Sequence, residues 1–241
     1  MPSAIEIKDF SYNYPDGTNA LSEITLNIEH GEKVALIGPN GAGKSTLLLA
    51  IGGFLQGQGR VLIDGFEVKK QNLKKIRRII GCCFEDPDDQ LFMPTLFDDV
   101  AFGPLNMCLE QKEVEKRVIE TLNFVGLAEM SHKPPHHLSA GQKRAASIAT
   151  ILAMNPKIMT FDEPDSSLDG RHRNNLIRLL QGLNQTLVIA TCNTNFAAVI
   201  AQRVVLIDNG KKIADGKSQE ILLDSDLMLE HGLEVISKNL I

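Results

Sequence analysis

The stretch Gly38-Pro39-Asn40-Gly41-Ala42-Gly43-Lys44-Ser45-Thr46 has the form G-x-x-x-x-G-K-S and lies between two apolar runs, residues 34–37 and 47–51. This order predicts a buried strand, a glycine-rich turn and a helix that begins at the turn. Glycine accepts positive φ angles and has no Cβ, so backbone N–H groups can converge on an anion at the positive end of the helix dipole. The stretch therefore predicts a phosphate-binding loop; the alternative is a strand-to-helix turn that binds nothing.

Two side chains of this loop are candidates for chemistry on a bound phosphate chain. Lys44 is placed to reach the β- and γ-phosphates, and the Ser45 hydroxyl is placed to hold a Mg²⁺ ion that bridges them. We therefore expect all nine residues of the stretch to bind nucleotide, Lys44 to act in catalysis and Mg²⁺ to be a cofactor.

The composition is that of an acidic globular protein. The 241 residues are 43% apolar and 23% charged, which is ordinary for a folded chain that buries a substantial core. The net charge of −5 argues against nucleic acid as a partner. The local cluster of Lys74, Lys75, Arg77 and Arg78 is expected to lie on a solvated helix face.

The N-terminal residues, the apolar runs and the cysteine spacing indicate the location and redox state of the protein. The first residues have no basic start followed by an apolar stretch, and no apolar run approaches the ~20 residues needed to cross a bilayer. We expect a cytosolic protein that meets a membrane only through a partner. The cysteines Cys82, Cys83, Cys108 and Cys192 show no C-x-x-C spacing, which favours reduced thiols over zinc or disulfides, and the first two are expected in the core.

The residues before the loop predict an antiparallel β-unit. Ile5, Ile7 and Phe10 alternate with polar residues, and a second alternating segment covers residues 21–28 after the turn at residues 14–17. Tyr14 in that turn is a candidate to stack on an adenine ring. The alternative is that Tyr14 only packs on the turn.

The middle of the chain changes from strands to helices. Residues 60–63 predict a short strand, residues 73–78 a helix, and the apolar run 79–84 a strand covered on both faces. From residue 96 to about 154 the pattern is helical, with Val114, Val118, Leu122 and Val125 at helical spacing. A mostly helical insertion into a strand-rich nucleotide-binding fold is the simplest interpretation.

Within this insertion, Ser139 is predicted to cap the helix at residues 145–154, and the small residues after it leave backbone N–H groups exposed. This is a second helix N-terminus suited to phosphate. Three nearby histidines, His132, His136 and His137, could hold a metal, but a proline-punctuated surface loop is the favoured interpretation.

Residues 158–163 predict a strand that delivers two acids at its C-terminal end, where ligands bind in open α/β sheets. Asp162 suits a Mg²⁺ contact, and Glu163 suits the base that orients or deprotonates water. The alternative is an ordinary acidic helix start. A helix over residues 176–180 and strands at 186–190, 204–207 and 212–214 complete the predicted sheet, the last two around the turn Asp208-Asn209-Gly210.

In combination these motifs resemble the ATPase subunit of an ATP-binding-cassette (ABC) transporter. The phosphate loop, the sequence Leu138-Ser139-Ala140-Gly141-Gln142, the Asp162-Glu163 pair and the loop Ser166-Ser167-Leu168-Asp169 stand in family order. Residues 85–92, 100–106 and 134–139 resemble the energy-coupling-factor importers, closest to the cobalt and nickel members, with vitamin members as alternatives. The resemblance implies an α/β fold, a P-loop NTPase with a RecA-like core, an N-terminal antiparallel β subdomain and an inserted α-helical subdomain.

The same resemblance implies a single domain over residues 1–241, with a core at 1–91 and 157–241 and a helical subdomain at 92–156. It also implies two chains that sandwich two ATP molecules, each site completed across the interface by the partner's copies of Ser139, Ala140, Gly141 and Gln142, with Ser167 and Asp169 in the dimer loop. Opening and closing would drive integral membrane components that dock near residues 85–106, so the chain would sit at the cytoplasmic face of the membrane.

Three departures from the family pattern stand out. Glu85 replaces the usual glutamine and is a candidate Mg²⁺ or water contact, although it brings negative charge towards a triphosphate. Cys192 replaces the switch histidine, and a thiol is a weak donor. Loss of one preorganised donor typically costs ~10²–10³ in rate, so slow hydrolysis is expected. Ala140 replaces a glycine with one extra methyl.

Two alternatives to a competent transport ATPase remain, of which the first is favoured by Glu85 and Cys192. The first is a weakened nucleotide-binding subunit that pairs with a competent cassette and completes the partner's site. The second is a soluble ABC ATPase that works on DNA or ribosomes, although the coiled-coil insertions, tandem cassettes and basic arms of such proteins are missing from this sequence.

Overall fold

The computed structural model describes residues 2–236. Met1 and residues 237–241, the last part of the core segment predicted at 157–241, lie outside the described residues. In chain order, the described strands are β1 (Ile5–Asn13), β2 (Asn19–Ile28), β3 (Lys33–Ile37), β4 (Gln58–Ile63), β5 (Phe66–Glu67), β6 (Ile80–Cys83), β7 (Ile158–Asp162), β8 (Thr186–Thr191), β9 (Arg203–Asp208) and β10 (Lys211–Lys217).

The described α-helices alternate with these strands and also fill the long segment between β6 and β7. They are α1 (Lys44–Ile51), α2 (Leu73–Ile79), α3 (Leu96–Asn106), α4 (Gln111–Phe124), α5 (Ala140–Leu152), α6 (Gly170–Gln181), α7 (Thr194–Ile200), α8 (Ser218–Leu222) and α9 (Ser225–Glu230). None of the helices within residues 2–236 combines the length and the apolar character that a bilayer crossing requires.

The strands form two sheets. The first is antiparallel, with the order β2-β1-β4-β5, and contains the hairpin predicted from the alternating apolar residues. The second has the order β10-β9-β3-β8-β7-β6 and is parallel except for β10, which pairs antiparallel with β9. Buried residues of α1, including Leu47 and Ile51, lie in one apolar cluster with residues from both sheets. The first sheet therefore covers the helix that follows the phosphate loop.

The central strands are apolar along their length because the second sheet is covered on both faces. All six residues of β8 are buried. One face of the sheet contributes to the cluster around α1. The other face packs against α6 and α7, where Phe161 of β7 lies in one cluster with Leu180 and Phe196 of the helices. The parallel strands β3, β7 and β8 therefore form a rigid support whose carboxyl ends lie side by side.

The helical segment between β6 and β7 has its own apolar cluster. Val114, Val118 and Leu122 of α4 are buried against α3 and α5, as their spacing predicts, whereas Val125 is half-buried. The helix predicted at residues 145–154 is wrong at its start, because α5 already begins at Ala140. The Ser139 cap and the small residues 140 and 141 form the first turn of the helix instead of a loop before it.

Other local predictions have mixed outcomes. The helix predicted at residues 73–78 is present as α2, and its four basic residues are exposed. Cys83 is buried, whereas Cys82 is only partly covered. The helices α7, α8 and α9 have no counterpart in the sequence analysis, and each is seven residues or fewer.

Truncation of Phe161 tests the layer between the second sheet and α6. Phe161 is fully buried, so we expect Phe161→Ala to lower the free energy of unfolding by about 3–5 kcal/mol. The measurement is urea denaturation, read as a fall in midpoint at unchanged slope. The matched control is Phe124→Ala, because Phe124 is 51% exposed and its loss should cost no more than about 0.5 kcal/mol. Equal costs for the two variants would contradict this packing.

Candidate nucleotide-binding site

The phosphate loop connects β3 to α1, and two of its glycines are required by close backbone neighbours. Gly38 has φ 154°, and a Cβ built on it would lie 2.0 Å from the carbonyl oxygen of Ile207. Gly43 has φ 105°, and its Cβ would lie 2.6 Å from the carbonyl oxygen of Ala20. The loop is therefore held between the end of β9 and the start of β2, where only glycine fits.

The first turn of α1 is open to an anion. Gly43 is the N-cap residue, and no side chain of the described residues caps the helix. The first N–H groups of a helix have no partner within the helix, and the helix dipole adds positive potential there. The backbone at this point therefore suits a phosphate group.

Lys44 is a buried cation in this loop. Its side chain is 5% exposed, and its Nζ donates to the carbonyl oxygens of Gly38 at 2.8 Å and Pro39 at 3.2 Å. The same Nζ lies 3.3 Å from Oε1 of Glu163. The ammonium group is thus fixed between the loop backbone and one of the two predicted acids.

Ser45 and Asp162 form the second link between the loop and β7. The Ser45 hydroxyl donates to Oδ1 of Asp162 at 2.9 Å. Burial raises the pKa of Asp162, the Ser45 hydrogen bond opposes that rise, and the charges of Glu85 and Glu163 add to it. Glu85 lies beyond the end of β6 with its side chain exposed. Hydroxyl and carboxylate oxygens are the ligands that Mg²⁺ prefers, so this donor set fits the ion.

Glu163 follows directly on β7 with φ 40°, in the left-handed region. Its backbone N–H donates to the carbonyl of Ala190 at 2.9 Å, and its Oε2 accepts the backbone N–H of Cys192 at 3.2 Å. Burial and the neighbouring Glu163 charge raise the pKa of the Cys192 thiol. The predicted base and the predicted switch position are therefore in direct contact.

Tyr14 lies beside the first turn of α1. Its hydroxyl is 3.0 Å from the hydroxyl of Thr46, and Tyr12 contacts its ring edge-on with centroids 5.1 Å apart. The ring of Tyr14 is partly exposed and borders the first turn of the helix that follows the phosphate loop.

Ser139, Ala140, Gly141 and Gln142, the signature residues, form the N-terminus of α5. Ser139 accepts the backbone N–H of Gln142, and the Gln142 side chain accepts the backbone N–H of Ser139 at 2.9 Å, which is a complete capping box. Ser139 and Ala140 are exposed. A Cβ on Gly141 would lie 2.1 Å from Cδ2 of His172, so α6 approaches this turn closely.

A cleft of about 740 Å³ separates the signature turn from the ends of β6 and β7, and Glu85, Asp162, Ala140 and Ser167 are among its lining residues. Ser167 has φ 58°. Asp169 caps α6 by accepting the N–H of His172 at 2.9 Å. Ser167, one of the two predicted dimer-loop residues, thus borders the same cleft as Glu85 and Asp162, two of the predicted metal ligands.

The histidines after α4 do not form a metal centre. Within residues 2–236, no group of three or more His, Cys, Asp or Glu side chains is arranged to hold a metal ion. His136 and His137 contact each other edge-on and are exposed, as the surface-loop interpretation predicts.

Sequence reasoning missed two buried charged residues at this site. Arg144 on α5 is 4% exposed and donates to the carbonyl oxygens of Phe84 and Glu85, which ties the signature helix to the loop that carries Glu85. Asp165 is also 4% exposed and binds Thr191 and Asn193. Both residues are charged and lie next to predicted motifs, which is the signal that the sequence offers. Their burial depends on contacts with residues far along the chain, which the sequence pattern does not show.

The pKa shift of Asp162 predicts a stability effect with a definite sign. A carboxyl whose folded-state pKa is raised destabilises the fold when ionised, so its cost builds as pH rises from the unfolded-state pKa and is complete above the folded-state pKa. We expect Asp162→Asn to raise the Tm of the nucleotide-free protein at about pH 7.5, and the gain to shrink towards about pH 4. Differential scanning fluorimetry over this range measures it.

Asp215 is the matched control with the opposite sign. Burial penalises its carboxylate, but Arg203 and Lys212 outweigh that penalty and lower its pKa. Asp215→Asn should therefore lower the Tm at neutral pH, and this loss should fade as pH falls. A destabilising Asp162→Asn at neutral pH would contradict the assigned cause of the shift.

Comparison with known proteins places the chain in a family. The ABC transporter family model matches residues 21–166, more than half of the chain. The energy-coupling factor transporter ATP-binding protein EcfA of Methanothermobacter thermautotrophicus is 46% identical and aligns over 96% of this chain and 76% of its own length. A putative ABC transporter ATP-binding protein of Geobacter sulfurreducens is 45% identical over 95% of this chain and 93% of its own length.

Solved structures agree with the sequence relatives. The structure of cbiO1 from Clostridium perfringens, described as part of the ABC transporter complex cbiONQ, has a TM-score of 0.85 at 35% identity and covers 95% of this chain and 94% of its own. The cassette MJ0796, solved as a dimer bound to ADP and Pi after hydrolysis, has a TM-score of 0.79 at 30% identity, with 89% and 98% covered. The chain therefore belongs to the ABC transporter family and is an ATPase of the energy-coupling-factor type.

Proposed function

We propose that this chain is the ATP-hydrolysing subunit of an energy-coupling-factor importer, peripheral at the cytoplasmic face, that drives uptake of cobalt, nickel or a vitamin through integral membrane partners. The observation that carries the catalytic part is the contact of Lys44 and Ser45 with Glu163 and Asp162 at one edge of the sheet. The relation to EcfA and to cbiO1 supports the transport part.

The residues of the phosphate loop bind the triphosphate, and Lys44 neutralises its charge. Ser45, Asp162 and Glu85 would hold Mg²⁺, and the bound ion would supply charge stabilisation at the transferred phosphate. Lys44 is already desolvated and held by two carbonyl oxygens, so little reorganisation is needed for it to meet a phosphate oxygen. Tyr14 stacks on the adenine base.

Glu163 is the base that orients and deprotonates the attacking water. Its two carboxylate oxygens are held separately, Oε1 by Lys44 and Oε2 by the N–H of Cys192. A base must be held within hydrogen-bond reach of the proton that it removes, and these contacts fix its direction.

The signature turn completes the site of a second cassette. Ser139 and Ala140 are exposed at the start of a helix, where N–H groups and the helix dipole favour an anion. We assign Ser139, Ala140, Gly141 and Gln142 to the phosphate of the partner's nucleotide, and Ser167 and Asp169 to the dimer contact. The related cassette MJ0796 forms a dimer.

An exposed apolar patch supports the assignment of a membrane-facing side. Phe92 and Phe102 contact each other edge-on with centroids 5.1 Å apart, and they are 62% and 44% exposed, with Leu105 nearby on α3 at 50%. Exposed apolar patches on soluble proteins mark interaction sites. We assign this patch, within residues 85–106, to the cytoplasmic helices of the membrane partner.

A second candidate function is favoured by Cys192 and by Glu85, whose negative charge lies close enough to Asp162 to raise its pKa. In this reading the chain binds ATP but hydrolyses it weakly, and its signature turn completes the site of a competent partner. The raised pKa keeps the Cys192 thiol protonated, so the side chain supplies neither a cation nor a strong donor at the switch position.

Dimerisation tests the proposed function directly. We expect Glu163→Gln to form dimers at saturating Mg-ATP, because this variant binds ATP but does not hydrolyse it. Size-exclusion chromatography with light scattering measures the dimer. The double variant with Ser139→Arg should stay monomeric, because the added cation and bulk block the phosphate of the facing site. Gln71→Arg in the same background is the control, since it adds a cation at an exposed position outside the signature turn. Dimers that persist with Ser139→Arg would contradict the sandwich.

The switch position separates the two candidate functions. If Cys192 limits turnover, Cys192→His should raise kcat by about 10-fold or more, because it restores a donor of the kind worth ~10²–10³ in rate. Cys108→His, at another exposed cysteine, should leave kcat unchanged. Fast wild-type turnover with no gain from histidine would remove the weakened-subunit reading.

A further inference from the structure

Asp165 is a buried carboxylate that the proposed reaction does not use. It is 4% exposed, and both of its oxygens accept side-chain hydrogen bonds: Oδ1 from the Thr191 hydroxyl and Oδ2 from the Asn193 amide, each at 2.9 Å. These partners lie 26 and 28 residues further along the chain. Asp165, Thr191 and Asn193 are called the Asp165 clasp below.

The clasp fixes the backbone turn at residues 191–193. Thr191 ends β8, and its hydroxyl oxygen also accepts the backbone N–H of Asn193 at 3.0 Å. The Asn193 side-chain oxygen accepts the N–H of Phe196 at 3.0 Å and so caps α7. Thr191 is therefore held by β8 and by Asp165, and Asn193 is held by α7 and by Asp165.

The turn presents one backbone donor to the proposed base. Cys192 is its middle residue, and its N–H donates to Oε2 of Glu163 at 3.2 Å. Oε1 of Glu163 lies 3.3 Å from Nζ of Lys44. The carboxylate plane of Glu163 thus depends on two fixed points, one in the phosphate loop and one in the turn held by the clasp.

We propose that Asp165 is a positioning residue for ATP hydrolysis: by fixing the turn at residues 191–193, it holds the backbone N–H of Cys192 against Glu163. The inference rests on the proposed function, in which Glu163 is the base. The chemistry of the clasp fits a carboxylate, because both partners donate and an ionised carboxylate only accepts. The Arg173 guanidinium, with Nε 3.9 Å from Oδ2, lies near the buried charge.

Amide exchange in the nucleotide-free full-length chain tests the geometry without activity. By NMR, we expect the Cys192 N–H to exchange at least ~10-fold faster in Asp165→Ala and in Glu163→Ala than in the wild type, because local opening exposes it. Cys192→Ala keeps the backbone donor and should retain protection at residue 192. Asp215→Ala, which removes a carboxylate bound by Arg203 at another part of the sheet, is the matched control and should change nothing at residue 192. Wild-type exchange at residue 192 in Asp165→Ala would overturn the inference.

Kinetics tests the consequence. We expect Asp165→Ala to lower kcat by about 10- to 100-fold, because small misplacements of a catalytic group cost rate on that scale, while ATP affinity stays unchanged. In the Glu163→Gln background the same change should add nothing, since both act through one carboxylate. Asp165→Asn should keep part of the rate, because its amide oxygen still accepts from Asn193. Thr191→Val preserves shape, removes one clasp hydrogen bond and should lower kcat with intact ATP binding.

The outcomes separate this inference from the proposed function. If Glu163→Gln leaves turnover at the wild-type level, the base assignment fails, and the exchange data still decide whether the clasp exists. If Glu163→Gln lowers turnover but Asp165→Ala and Thr191→Val do not, Asp165 has no positioning role. A fall in kcat that is additive with Glu163→Gln would equally overturn the inference, because it would show an effect independent of the base.

Discussion

The buried ammonium group of Lys44 is the constraint on which the site depends. A buried cation is costly unless it is paired and hydrogen-bonded, and here the carbonyl oxygens of Gly38 and Pro39 and the carboxylate of Glu163 supply that compensation. The loop must curl back on its own helix to present those carbonyls, which only the backbone freedom of its glycines allows. The same lysine thus fixes the loop, orients one acid and keeps a positive charge where phosphate oxygens can meet it.

Strand order brings these groups together from distant parts of the sequence. Ile37 is opposite Thr191 in the pairing of β3 with β8, and Asp162 is opposite Ala190 in the pairing of β7 with β8. The carboxyl ends of three adjacent parallel strands therefore lead directly into the phosphate loop, the acidic pair and the turn at residues 191–193, the switch turn. Ligands of open α/β sheets bind at this edge. Negative charge accumulates there, and burial together with neighbouring carboxylates raises the pKa of Asp162. A divalent cation would relieve that repulsion.

Local patterns predicted the parts of the fold that local chemistry decides. The phosphate loop, the hairpin of β1 and β2 and the buried strand β7 follow from glycine spacing, alternation and apolar runs. α5 begins five residues before the start that the pattern predicts, because Gly141 lowers intrinsic helix propensity while its close approach to His172 and the Ser139 cap stabilise the turn. The helices α7 to α9 are too short to show a clear period. Asp165 was missed because its two partners come from the end of β8 and the cap of α7.

The side chain at residue 192 and the carboxylate of Asp165, which holds the turn, differ in how freely they can be substituted. A side chain at residue 192 can change from histidine to cysteine without disturbing the backbone, because the position of its N–H is set by Thr191 and Asn193 through Asp165. A weaker donor side chain at residue 192 therefore leaves the orientation of Glu163 intact. It removes only the hydrogen bond that the side chain would donate. The carboxylate of Asp165 has no such freedom, since it must satisfy two donors in a buried setting. In the proposed function, a chain with a weakened switch side chain accordingly keeps its base in place, and we expect slow hydrolysis rather than none.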